Sequence, residues 1–114
     1  MAGKVRKMVG QLRPANTTAA SLVSPVAGER ISVHTIIVAE TSGSDRTFRL
    51  FHDDDGTTYD ESTALHYDVA ISANTTTFLD LQGGVDMLNS SGNLAVRTSS
   101  SNALNFTAYG ESLT

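Results

Sequence analysis

The sequence contains no cysteine and no tryptophan, and only two of its 114 residues are proline. Without cysteine there is no disulfide framework, no thiolate nucleophile and no cysteine-ligated metal site. Charged residues make up 18% of the chain, against about 25% in an average globular protein, so long helices with charged outer faces are not expected. No apolar run approaches the roughly 18–20 residues of a membrane span, and no apolar segment follows the basic N-terminus as in a secretory signal. We therefore expect one small domain, without a membrane partner, that is stabilised by packing or by subunit contacts.

Charge is distributed unevenly along the chain, although the formal net charge is only −4. Residues 1–13 carry four basic side chains and no acidic one, namely Lys4, Arg6, Lys7 and Arg13. All acidic residues lie beyond them, so a basic segment precedes an acidic body. Residues 1–20 lack a regular period and are predicted to form an extended N-terminal arm, and residues 21–114 to form the domain. Because an acidic body repels phosphate, we expect the arm to bind protein and not nucleic acid.

Beyond the arm, short runs rich in β-branched and aromatic residues alternate with turn sequences rich in Gly, Asn, Asp and Ser. The predicted strands are residues 21–24, 30–40, 46–52, 64–71, 75–81, 94–98 and 103–109, with residues 85–88 as a short strand or a helical turn. The last two runs are predicted to pair as a hairpin. About seven or eight short strands at this spacing predict an all-β fold, an antiparallel β-sandwich of jelly-roll-like form.

An acidic loop, DDDGTTYDE, occupies residues 53–61. Asp53, Asp55, Asp60 and Glu61 are candidate oxygen ligands for a hard cation such as Ca²⁺. The spacing departs from that of an EF-hand, and no helices are predicted beside the loop. A solvated loop whose aspartates form turns is the favoured interpretation, so these residues are weak candidates for a metal site and no cofactor is expected.

The three histidines, His34, His52 and His66, are the other candidate metal ligands. No pair of them has the tight spacing of a zinc site, although His52 and His66 would approach each other if their strands paired. The chain has no nucleophile elbow, phosphate-binding loop or dinucleotide fingerprint. We therefore expect no enzymatic activity and no catalytic residues.

The abundance of Ser, Thr, Asn and Gly suits a surface used in assembly, because charged side chains are depleted from the cores of interfaces. A small domain without disulfides also commonly gains stability by oligomerisation. Composition therefore favours a homo-oligomer.

The order of turns and strands resembles that of short β-sandwich structural proteins from the virions of tailed bacteriophages. The segments that carry this resemblance are GQLRPANTT (10–18), LVSP (22–25), VAGER (26–30), TIIVA (35–39), TSGS (41–44), TFRL (47–50), ISANTT (71–76) and LNFTAYG (104–110). The resemblance implies a virion protein made in the host cytoplasm, most simply a trimeric capsid decoration or cement protein. Its partners would be the major capsid protein or other virion proteins.

In that setting the basic arm, with Lys4, Arg6, Lys7 and Arg13, is expected to bind neighbouring capsid subunits. Deleting residues 1–13 is then expected to abolish particle binding and leave a folded domain. A neck or tail accessory protein is the first alternative. A carbohydrate- or receptor-binding module is the second, with Tyr59, Tyr67 or Tyr109 as the stacking surface, and the absence of tryptophan argues against it.

Overall fold

The computed structural model describes residues 4–53, 58–88 and 93–113. These residues form eight strands and one 3₁₀ turn (Glu61–Thr63). The strands are β1 (Lys4–Leu12), β2 (Ala20–Val23), β3 (Arg30–Glu40), β4 (Arg46–Asp53), β5 (Ala64–Ile71), β6 (Thr76–Leu88), β7 (Asn93–Thr98) and β8 (Leu104–Leu113). In the described part of the chain, no helix is long and apolar enough to cross a membrane.

The strands form two antiparallel four-stranded sheets that pack face to face. Sheet A has the order β1-β8-β3-β6, and sheet B has the order β2-β7-β4-β5. Consecutive strands lie in opposite sheets, except for β4 and β5, which pair with each other. This order is the eight-stranded jelly roll, so the predicted all-β antiparallel sandwich is confirmed.

The segment expected to be an arm is largely a strand of the sandwich. Strand β1 pairs with β8 along its length, from Lys4 opposite Leu113 to Leu12 opposite Phe106. Near its end, a Cβ on Gly10 would lie 2.3 Å from the backbone oxygen of Leu22, so only glycine fits there. Deleting residues 1–13 would therefore remove an edge strand, and such a deletion cannot separate particle binding from folding.

The predicted hairpin between residues 94–98 and 103–109 is wrong, because β7 lies in sheet B and β8 in sheet A. Turn residues in that connection resemble those of a hairpin, but the apolar residues of the two strands face each other across the core. Residues 85–88 do not form a separate strand or helical turn. They continue β6 after Gly83 and Gly84, whose φ values of 78° and 83° form a wide irregularity in the strand.

Strand β3 changes its inward face part-way along, because its register shifts between Val33 and Thr35. Ile31 and Val33 are buried before the shift, and Ile36 and Val38 are buried after it. A β-bulge has this effect because one extra residue reverses the alternation of side chains. The bulge lets β3 fill the core at both ends while it stays paired on both sides.

The core lies between the two sheets and is centred on an aromatic pair. Phe48 of β4 and Phe106 of β8 are each at most 1% exposed, and their rings meet edge to face with centroids 5.8 Å apart. Since β4 belongs to sheet B and β8 to sheet A, this pair joins the two layers directly. Edge-to-face packing adds about 0.5–1.5 kcal/mol to the apolar burial of such rings.

At one end of the sandwich, the buried carboxylate of Glu40 holds two loops together. It accepts hydrogen bonds from the backbone N–H groups of Ser42 (2.9 Å) and Gly43 (2.8 Å) and from the Ser42 hydroxyl (2.5 Å). It also accepts one from the N–H of Asn74 in the β5–β6 loop, at 3.1 Å. Burial opposes ionisation, but these donors outweigh it and lower the pKa of Glu40 to about 2.

Candidate functional site

The basic residues of β1 lie at the edge of sheet A, where Lys4 and Arg6 are on its outer face and Lys7 is at an alternating, inward position of the strand. The ammonium of Lys4 is 3.2 Å from Glu111 of β8, and the guanidinium Nε of Arg6 is 3.7 Å from the same carboxylate. The side chain of Lys4 is 60% exposed and that of Arg6 is 79% exposed, whereas that of Glu111 is only 16% exposed. One carboxylate thus faces two cations, and the edge keeps an excess of positive charge.

Lys7 is exposed on β1 and is the third cation of this edge. It acts on Glu29, whose pKa is lowered mainly by a hydrogen bond from Ser112 and then by one from the Val26 N–H; the charge of Lys7 adds to the effect. The predicted basic residues Lys4, Arg6 and Lys7 are therefore brought together on one strand. Of the two that face Glu111, the side chain of Arg6 is more exposed than that of Lys4.

Arg13 is separated from this group and has a structural contact. Its guanidinium donates two hydrogen bonds to the Asn102 carbonyl, from Nε at 3.1 Å and from Nη2 at 2.7 Å. The N–H of Asn102 in turn donates to the carbonyl of Pro14 at 2.9 Å. Arg13 thereby fastens the end of β1 to the β7–β8 connection.

A shallow depression opens beside the basic edge, where the β3 bulge brings His34 to the outer face. Arg6, Lys7, Met8 and Tyr109 line it together with His34. The Nε2 atom of His34 is buried and has no hydrogen-bond partner among the described residues; the nearest carboxylate oxygen, on Glu111, is 4.0 Å away.

The acidic loop does not bring its candidate ligands to one point in the described residues. Asp53 is buried and accepts a hydrogen bond from the Thr58 N–H at 2.6 Å. Asp60 caps the 3₁₀ turn through the Ser62 hydroxyl and N–H, which lower its pKa in that order. Glu61 accepts from the Tyr67 hydroxyl at 3.4 Å, and Asp55 lies outside the described residues.

The histidines are also divided between the layers. His34 lies on β3 of sheet A, whereas His52 and His66 lie on the paired strands β4 and β5 of sheet B. Those two strands do pair, with His66 opposite Leu50. Within the described ranges, no group of three or more His, Asp or Glu side chains is placed to hold a metal ion.

The tyrosines do not share one surface. The ring of Tyr59 packs against Phe51 with centroids 6.2 Å apart, and Tyr109 is exposed on the outer face of sheet A. Tyr67 is exposed on sheet B, but the Arg49 guanidinium covers its ring at 3.9 Å from the centroid.

A polar site on sheet B was not found by sequence reasoning. Arg49 donates to Asp68 from Nε at 2.6 Å and from Nη2 at 3.2 Å, and this pairing lowers the pKa of Asp68. Arg97, opposite Arg49 on β7, donates from Nε to the Thr17 carbonyl at 2.8 Å. The registers of β4 with β5 and with β7, which no local pattern specifies, create this cluster.

No protein-family model and no curated protein sequence matches the chain. Several solved structures share its fold. A chain of infectious bursal disease virus, Gx strain, has 15% identity and a TM-score of 0.54, with 99% of this chain and 32% of that chain covered. A chain of the T13 particle of the same virus has 14% identity and a TM-score of 0.52, with 99% and 30% covered.

A third neighbour is CpGH89CBM32-6 of Clostridium perfringens, with 13% identity, a TM-score of 0.54, and 94% of this chain and 93% of that chain covered. This chain spans about a third of the length of the two viral chains that it matches. At these identities the likeness establishes a shared β-sandwich fold, and function must be argued from the surface of this molecule.

Proposed function

We propose that this protein is a structural component of a virus particle, a decoration or cement protein on the head of a tailed bacteriophage. The observation that carries the proposal is the strand order β1-β8-β3-β6 over β2-β7-β4-β5. Eight-stranded jelly rolls of this type build many viral capsid domains. The shared fold with chains of an icosahedral virus particle supports the same interpretation.

The proposed activity is mechanical and involves no catalysis. A rigid sandwich that bridges neighbouring subunits adds contacts that must break before those subunits separate. The exposed cations of β1, Lys4, Arg6 and Lys7, form the candidate contact surface, and the expected partners are capsid subunits or further copies of this chain. Charge complementarity at such a surface guides association and excludes wrong partners.

Copy number in purified particles tests the proposal. In virions of the phage that encodes this chain, quantitative mass spectrometry is expected to find the protein at a copy number comparable with that of the shell protein. A copy number matching a single ring of subunits would instead support a neck or tail component. Complete absence from particles whose shell protein is detected would contradict a virion role.

A further inference from the structure

We propose that the basic edge strand β1 of one copy binds the acidic edge strand β6 of a second copy, with Arg6 opposite Asp80 and Met8 opposite Phe78. The inference rests on the proposed assembly role of β1, and it names the partner as another copy of this chain. It can be tested on the purified chain without virus particles, because the contact joins two copies of the same domain.

The two edges of sheet A carry opposite charge. Strand β1 contains Lys4, Arg6 and Lys7 and no acidic residue. Strand β6, at the opposite edge, contains Asp80 and Asp86 and no basic residue, and both aspartates are exposed. Among the described residues, no strand pairs with the outer side of β1 or of β6. Unpaired edge N–H and C=O groups are a template for pairing with another chain.

The directions of the strands allow this pairing without turning either copy over. Every neighbouring pair in sheet A is antiparallel, so β1 and β6 run in opposite directions. When a second copy stands beside the first in the same orientation, its β1 therefore meets β6 as an antiparallel neighbour. The contact would extend sheet A with the same pattern of strands that it already has.

One register matches both charge and apolar surface. Arg6 and Met8 share the outer face of β1, since they lie opposite Glu111 and Tyr109 of β8. Asp80 and Phe78 share the outer face of β6. In an antiparallel pair, placing Arg6 opposite Asp80 also places Met8 opposite Phe78. Phe78 is 69% exposed and Met8 is 46% exposed, so both have apolar surface to bury.

The same charges exclude the competing pairings. Two β1 edges would bring cations opposite cations, and two β6 edges would bring carboxylates opposite carboxylates; like charges directly opposite are unfavourable. Only β1 with β6 joins unlike charges, so the contact uses two different surfaces of the molecule. A contact of this head-to-tail kind produces a ring when it closes and a filament when it does not.

Charge reversal at the two positions tests the inference by sedimentation equilibrium of the full chain at low salt. The wild-type protein is expected to increase in average mass with concentration and to dissociate as salt screens the charges. Arg6→Glu and Asp80→Lys alone should each weaken association about tenfold or more, since each brings like charges together. The double variant is expected to regain wild-type association, as is an equimolar mixture of the two single variants.

Two matched reversals on other surfaces serve as controls. Arg97→Glu on β7 and Glu61→Lys at the end of the acidic loop change the net charge by the same amount but lie outside sheet A. They should leave association unchanged, and circular dichroism should show all variants folded. A wild type that stays monomeric at every concentration would overturn the inference, as would single reversals without effect or a double variant that fails to recover. These outcomes leave the copy-number test of the proposed function unaffected.

Discussion

Replacing Phe106 with alanine is expected to lower the free energy of unfolding by about 3–5 kcal/mol, a large part of the roughly 5–15 kcal/mol typical of a domain. Phe106 is fully buried on β8 and meets Phe48 across the two sheets. The substitution removes the ring from the layer that joins sheet A to sheet B, and the strands on either side cannot collapse into the space without losing their pairing. Chemical denaturation followed by circular dichroism measures the change.

Phe78→Ala is the matched control, because it removes the same side chain from a strand of the same sheet. Phe78 is 69% exposed, so at a protein concentration where the chain is monomeric its removal should change stability by less than about 0.5 kcal/mol. Equal effects of the two substitutions would mean that the sheets do not pack through the Phe48–Phe106 pair.

Replacing Glu40 with glutamine is expected to lower the melting temperature by about 5–10 °C at neutral pH. The amide of glutamine is a donor and would face the N–H groups of Ser42, Gly43 or Asn74, which now point at a carboxylate oxygen. At least one buried donor would then lose its acceptor, and the two loops would separate. Glu61→Gln makes the same chemical change at an exposed carboxylate and should leave the melting temperature nearly unchanged.

The effect of Glu40→Gln should also depend on pH in a defined direction. The pKa of Glu40 is lowered from 4.5 to about 2, so its carboxylate stabilises the fold fully above pH 4.5 and loses that effect as the pH falls towards 2. The difference in melting temperature between wild type and variant is therefore expected to be constant above about pH 5 and to shrink as the pH falls towards about 2. A difference that does not change over this range would contradict the role of the ionised carboxylate.

Much of the fold could be predicted because its strands are locally encoded. Strands β3 and β5 have the predicted bounds, since β-branched and aromatic residues fill them and turn residues flank them. The assignment of strands to sheets could not be predicted in the same way. Residues at 99–102 form a turn whether the chain reverses within a sheet or crosses between sheets, and long-range strand pairing and packing, such as that of Phe48 on Phe106, distinguish the two.

Strand β1 was missed for a related reason. Its inward positions include Lys7, so the alternation of apolar and polar residues that marks a strand is weak there, as is common at sheet edges. The candidate site was recovered in part, because Lys4, Arg6 and Lys7 cluster in the sequence and remain together in space. Their counterparts, Glu111 within the copy and Asp80 on the far edge, are set by pairings over long sequence distances that no local pattern records.

The pairing of Lys4 with Leu113 has a consequence for genetic engineering and for domain architecture. Both ends of the described chain leave the sandwich side by side, about 5 Å apart as cross-strand neighbours. The whole sandwich can therefore be inserted as a cassette into a surface loop of another protein, with little separation of the two insertion points. The same proximity permits a circular permutation, in which a short linker joins the end of β8 to the start of β1 and a new opening is made in an exposed turn.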